Sequence, residues 1–300
     1  LEKAIMQTGN NYRLKKAIEK ARRGEDVTIA FIGGSITQGA GAVPINTECY
    51  AYKTYKGFCE LVGKTTEENV HYIKAGVGGT PSEFGMLRYE RDVLNEGTIE
   101  PDVVVVEFAV NDEGDETKGE CYDSLVRKIM NSKNKPAVIL LFAVFANDWN
   151  LQERLGPVGE AYDLPMVSTR NTVVEQFYKK SGEGKVVSKN QFFYDVFHPT
   201  SIGHTVMADG IIYLLELVDR QEQNAEDVDI SKITPPLGGD FEKVKLLDKK
   251  SNPDAAMINC GAFGETDKEL QAVERNLDLV HTPQLPNNWM YRGAEAKEAQ

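Results

Sequence analysis

The stretch Val27–Gly39, VTIAFIGGSITQG, decides how the chain folds. Val27, Ile29, Phe31 and Ile32 suit a strand covered on both faces, and Gly33-Gly34 allow a tight bend that side chains would forbid. Ser35 is thereby presented at the carboxyl end of a strand. Alone, the stretch also reads as an ordinary strand-to-helix turn with a serine N-cap.

Working outward, Leu14, Ile18 and Ala21 share one face of an amphipathic helix that stops at Gly24. Downstream, helices are predicted over 49–62, 82–94, 120–131, about 170–180 and 201–218, the last capped by Thr200 or Ser201. Apolar strands are predicted over 70–75, 103–110, 137–145 and 165–167, with a polar loop carrying Trp149 between the last two. Such apolar strands alternating with helices predict an α/β fold: a three-layer, doubly wound, flavodoxin-like parallel sheet of about five strands. Ligands of such sheets bind beyond the carboxyl ends of the strands, where strand order reverses. Ser35, the glycine-rich turn GVGGT (76–80) and Asn111 follow the first, second and third strands, so three turns converge on one crevice.

The 300 residues carry a net charge of −12, which excludes a general nucleic-acid binder or an anionic-membrane protein, since both need basic surface. No run of eighteen apolar residues marks a membrane span, and the first residues lack a basic segment followed by an apolar core. A cytoplasmic protein is the expectation, with secretion left open because the sequence does not begin with Met. Cys49, Cys59, Cys121 and Cys260 have neither metal-like nor paired spacing, so free thiols, no metal and no cofactor are expected.

The block DVFHPTSIGH supplies what a serine needs. Asp195 and His198 are three apart before the last long helix, a spacing that lets the carboxylate orient the imidazole of its own loop. Of the other histidines, His71 belongs near the start of its strand and His204 lies further along the helix, so His198 is the candidate base. GGSIT, AGVGGT, AVND and DVFHPTSIGH, in this order, resemble the four blocks of the SGNH hydrolases, related to the GDSL esterases, over residues 27 to about 218. Gly34 stands where GDSL members have aspartate, Lys74 where many have asparagine and Ala109 where glycine is usual.

The resemblance implies Ser35 as nucleophile, His198 as its base, Asp195 as the partner of His198, and an oxyanion hole built from the N–H groups of Ser35 and Gly79 with the Asn111 amide. Gly79 is chosen over Gly78 by register with the family block. Asp112 is read as bracing the turn. GGSIT with an acidic surface and a mean hydropathy of −0.39 resembles bacterial carbohydrate esterases that deacetylate polysaccharides such as xylan or mannan. The implied partner is a small-molecule or oligosaccharide ester; an oligomer is compatible with this. Trp149 and Tyr52 are candidates for stacking on sugar rings, and no amphipathic lid of the lipase kind is visible. Other ester hydrolases of the same fold, thioesterases or lysophospholipases, and a non-catalytic carbohydrate-binding protein are the alternatives.

Beyond the hydrolase-like region, 1–220, the acidic then Pro/Gly-rich stretch 221–240 reads as a linker. Residues 241–300 contain short strand-like pieces and Trp289, which predict a small β-rich extension or part of a carbohydrate-binding module.

Overall fold

The computed structural model describes residues 1–65 and 68–246, together with the backbone of the strand Glu274–Arg275. Seven strands form one sheet among these residues: β1 (Ile5–Gln7), β2 (Val27–Gly33), β3 (Val70–Gly76), β4 (Val103–Glu107), β5 (Ala137–Phe142), β6 (Met166–Ser168) and β7 (Glu274–Arg275). Their order is β1-β6-β5-β4-β2-β3-β7, with β2 to β6 parallel and the two edge strands antiparallel. The central five are the predicted doubly wound sheet. Strand order reverses at β2, which pairs with both β3 and β4.

The helices are α1 (Tyr12–Arg22), α2 (Ser35–Gln38), α3 (Tyr50–Leu61), α4 (Ser82–Asp92), α5 (Glu120–Met130), α6 (Gln152–Ala161), α7 (Thr169–Tyr178), α8 (Lys189–Phe192) and α9 (Ser201–Arg220). Side chains alternate across a strand, so both faces of these apolar strands are used. Ile29, Phe31, Val103, Val105, Ile139 and Leu141 pack toward α1, α3, α7 and α9. Ala30, Ile32, Val104, Val106, Leu140 and Phe142 pack toward α4, α5 and α6. Thr200 caps α9 by accepting from the Gly203 N–H. The apolar stripe of α9, including Met207, Ile211, Leu214 and Val218, is buried in the first of these layers.

The structure corrects several sequence expectations. The strand expected over 103–110 ends at Glu107, because the Asp112 N–H bonds back to the Phe108 carbonyl and Asn111–Gly114 winds into a 3-10 turn. The strand expected to Phe145 ends at Phe142, where a turn closed by Phe145 N–H to the Trp149 carbonyl begins. The polar loop after it contains α6. Leu151, Leu155, Val158 and Tyr162 recur at helical spacing and are buried, a signal masked by Gly156-Pro157. The edge strand β1 was missed because three residues carry no periodicity.

The stretch 221–240 is no free tether in this structure. Asn11 and Asn224 exchange backbone-to-amide hydrogen bonds of 2.9 and 2.7 Å, and Arg13 pairs with Asp227 at 2.8 Å. Ile230 is buried, and Val228, Ile233, Leu237, Phe241 and Val244 pack on the α5–α6 side of the core. Leu237 N–H donates to Asp123, and Lys128 reaches the Val244 carbonyl. Residues 221–246 thus form a strap along that face. Most of the β-rich extension predicted for 241–300, with Trp289 and Cys260, lies outside the described residues. Cys49, Cys59 and Cys121 are free and buried.

Candidate active site

Ser35 opens α2, a single turn entered from β2 through Gly34. Two glycines make this approach close. A Cβ on Gly33 would lie 2.1 Å from Thr37 Oγ1 and 2.5 Å from the Glu107 carbonyl oxygen, and one on Gly34 would lie 2.1 Å from Asn111 Oδ1. Neither contact is tolerable for a real side chain, so the amide of Asn111 rests directly against the backbone before Ser35.

His198 approaches from the loop between α8 and α9. Its Nε2 lies 2.8 Å from Ser35 Oγ, which donates to it, and its Nδ1–H donates to Asp195 Oδ2 at 2.7 Å. Asp195 Oδ1 accepts from the backbone N–H groups of Phe197 and His198 at 2.8 and 2.7 Å. Partial burial works to raise the Asp195 carboxyl, but the bonds from the His198 ring and these two N–H groups outweigh it and hold it below its ordinary range. It is therefore an anion facing the imidazole. The three residues predicted from sequence form one hydrogen-bonded line.

The turn after β3 is fastened to the same spot. Val77 N–H donates to the Gly33 carbonyl at 3.1 Å, and Thr80 Oγ1 donates to the Val77 carbonyl at 2.7 Å. Gly79 is exposed at its tip with φ +73, in the left-handed region that favours glycine. Asp112 braces the turns as expected, since its Oδ1 accepts from the Ser82 N–H at 2.7 Å. Burial pushes its carboxyl up to about 7, with the Ser82 bonds opposing.

Sequence reasoning missed several residues of this scaffold. Arg88 is fully buried and donates to the carbonyls of Gly33 (2.9 Å) and Ala75 (2.8 Å), clamping the ends of β2 and β3, while Asp92 pairs with it at 3.0 Å. Its i,i+4 partner was the available signal. Glu107, the one charge in the run VVVVEFAV, is also fully buried; burial first, then the neighbouring Asp112, pushes it up to about 8. His204 is buried, and burial pushes its imidazole down to about 4, so it is neutral. Its Nδ1 accepts from the Tyr50 N–H at 3.2 Å, and its Nε2–H donates to the Ala40 carbonyl at 3.1 Å. It is structural, as the choice of His198 requires.

Trp149 is 39% exposed and stacks on Phe145 at 5.6 Å, with Phe145 edge-on to Phe197 and Phe197 edge-on to His198. An aromatic chain therefore connects it to the candidate base. Tyr52 does not join it. Half-buried on α3, it packs with Tyr55 and Tyr72 beside the sheet. Where no apolar lid was expected, Val43, Tyr194, Val196 and Phe197 are exposed on loops near His198 and Ile202 on the first turn of α9, with Val43 bonded to Ser201.

The chain is similar to a two-domain esterase active on acetylated mannans, whose crystal structure contains mannopentaose. The identity is 37% over 81% of this chain and 61% of that chain, with a TM-score of 0.70. A second structure of a two-domain esterase active on acetylated mannans gives 38% identity over 76% of this chain and 59% of that one, with a TM-score of 0.69. The chain thus spans about three-fifths of the length of these relatives. No curated protein matches it. Residues 31–206, more than half of the chain, match the model of the GDSL-like lipase/acylhydrolase family, and with the four blocks in place around Ser35 the chain belongs to that family.

Proposed function

We propose that the protein is a serine esterase that removes O-acetyl groups from a plant-type polysaccharide or oligosaccharide, with mannan favoured over xylan. The observation that carries this is the unbroken line Asp195–His198–Ser35 at the carboxyl end of β2, where strand order reverses. Likeness to esterases active on acetylated mannans supports the substrate class.

A serine hydroxyl is a poor nucleophile at neutral pH. His198 Nε2 takes its proton as Oγ attacks the acetyl carbonyl, and Asp195 stabilises the imidazolium and fixes the tautomer that leaves Nε2 free. The oxyanion is held by the Ser35 and Gly79 N–H groups and the Asn111 amide, each donor contributing about 3 kcal/mol to the transition state. His198 then protonates the departing sugar oxygen, and water, activated by the same ring, releases acetate. Trp149 supplies a face on which a pyranose ring stacks.

The test is mass spectrometry of acetylated manno- and xylo-oligosaccharides before and after treatment, with Ser35→Ala as control. Loss of acetyl groups from manno-oligosaccharides by the wild type alone is the expected result. Activity within tenfold of wild type in Ser35→Ala would overturn the assignment. The exposed Val43, Tyr194, Val196 and Phe197 favour a second reading, a longer acyl chain lying on this apolar rim. A 4-nitrophenyl ester series decides between them, because the acetylesterase favours acetate steeply over octanoate.

A further inference from the structure

α2, the helix that carries Ser35, is four residues long. One turn of helix has no stability of its own, so its position is set by what holds it. Thr37 is fully buried in that turn, its Oγ1 lying 2.8 Å from the Tyr50 hydroxyl and donating to Glu107 Oε2 at 3.5 Å. The Tyr50 ring is stacked parallel to His204 at 6.2 Å, and its N–H donates to His204 Nδ1. His204 in turn donates to the Ala40 carbonyl, and the Ala40 N–H donates to the Ser35 carbonyl at 2.9 Å. The path Glu107–Thr37–Tyr50–His204–Ala40 therefore grips the helix in its middle and at its end. Glu107 also sits opposite Gly33 in the β2–β4 pairing, two residues before Ser35.

We propose that Glu107 is a positioning residue for the nucleophile: its neutral, proton-bearing carboxyl anchors Thr37 and the Ser35 turn, and loss of that proton displaces the turn and lowers turnover. Glu107 is wholly enclosed and its Oε1 has no hydrogen-bond partner. A carboxyl in such a place is stable uncharged and costly as an anion. If it ionises, Oε1 is left as a bare buried anion and Oε2 draws harder on the Thr37 hydroxyl that already donates to it, which pulls on the Ser35 helix.

Burial and Asp112 favour the neutral form and outweigh the Thr37 hydroxyl and the Ala109 N–H, which favour the anion. Asp112, on the continuation of β4, adds negative charge, and burial together with Asp112 places the Glu107 transition near pH 8. Tyr50 on α3 and Tyr122 on α5 each feel Glu107, and burial holds both phenols protonated. The buried cations of β3 and α4 are engaged elsewhere. Lys74 is 3.8 Å from Cys49 Sγ, and Arg88 is spent on the Gly33 and Ala75 carbonyls and Asp92. His204 on α9 is neutral.

This role rests on Ser35 being the nucleophile but not on any carbohydrate substrate, so it is read with simple acetate esters. In the wild type, kcat falls at least tenfold as pH rises from 7 to 9.5, with KM changing less than threefold. Glu107→Gln keeps a neutral group of the same shape; it retains kcat within about fivefold at pH 7 and loses the alkaline fall. Glu107→Ala lowers kcat at every pH. Infrared spectroscopy gives a readout without turnover: beside the Asp112 band, which bleaches near pH 7, a protonated-carboxyl component is present at pH 7, bleaches near pH 8 and is missing from folded Glu107→Gln. An unchanged alkaline limb in Glu107→Gln, or a wild-type band no larger at pH 7 than that of Glu107→Gln, overturns the proposal. A wild type inert toward every acetate ester counts against the esterase reading instead, and the infrared band still decides the state of Glu107.

Discussion

Asp195 has one task, to face the His198 ring as an anion. Asp195→Asn keeps a hydrogen bond but offers the ring a different partner and removes the charge that stabilises imidazolium. A loss in kcat/KM on the order of 10³ follows by analogy with serine-protease triads, measured with 4-nitrophenyl acetate. A loss under tenfold would show that the two backbone N–H groups, rather than the carboxylate charge, define this loop. Gly34 gives a second prediction. Its absent Cβ would sit 2.1 Å from Asn111 Oδ1, so Gly34→Ala pushes the Asn111 amide away from Ser35. We expect kcat to drop at least tenfold with KM nearly unchanged, because the amide acts once the oxyanion exists. A rise in KM alone would place Asn111 on the ground-state substrate.

Among the elements, the C-terminal ends of β2 and β3 meet over the fully buried Arg88 of α4. Arg88→Met removes the guanidinium from the Ala75 and Gly33 carbonyls, the latter keeping the Val77 N–H, and leaves Asp92 to Arg91, 2.7 Å away but partly exposed. Removing one partner of a buried ion pair costs about 3–5 kcal/mol, to be measured by urea unfolding; a change below about 1 kcal/mol would mean that water replaces the guanidinium. The Trp149 loop is held from a different side. Lys189 donates to the Ala146 carbonyl at 2.9 Å, pairs with Asp148 at 2.7 Å and lies over the rings of Phe177 and Tyr178. A platform fixed in this way carries little ordering cost on binding. Trp149→Ala should therefore raise KM for an acetylated manno-oligosaccharide about tenfold and that for 4-nitrophenyl acetate much less. Equal rises would assign Trp149 to packing of the His198 loop.

At the scale of the molecule, buried carboxyls give stability a pH dependence of unusual sign. Asp112 keeps its proton in the folded state up to about 7, whereas in the unfolded chain it releases it near 3.8. Between these values unfolding releases a proton, so the Asp112 contribution to stability falls as pH rises through that window and levels off above about 7, while that of Glu107 goes on falling to about 8. Asp112→Asn preserves an acceptor for the Ser82 N–H and removes the titration. We expect the Tm of the wild type to fall between pH 5 and 8, and the fall to be smaller in Asp112→Asn at equal ionic strength. Equal slopes would mean that Asp112 is solvated and ionised in the folded protein.

The sequence by itself determined the central sheet and the line of residues on it. Apolar strands such as VVVV report their burial without help from the rest of the chain, and Ser35, Asn111, Asp195 and His198 stand at the ends of local patterns or within one short loop. Strand limits were less legible, because the turn at Asn111 and the closure of Phe145 on Trp149 depend on bonds between residues that no periodicity marks. Tyr52 and Trp149 are equal candidates for stacking on sugars by sequence, yet packing sends one into a tyrosine cluster and stacks the other on Phe145, which reaches His198 through Phe197. The strap over 221–246 read as a linker because its composition is polar, while its anchoring depends on Asn11, Arg13 and Asp123, more than a hundred residues away in sequence. Tertiary structure alone decided which charges are buried. Arg88, Glu107 and His204 are ordinary surface residues by type, and only the enclosure of the β2–α2 turn on every side makes one a clamp and another a held proton.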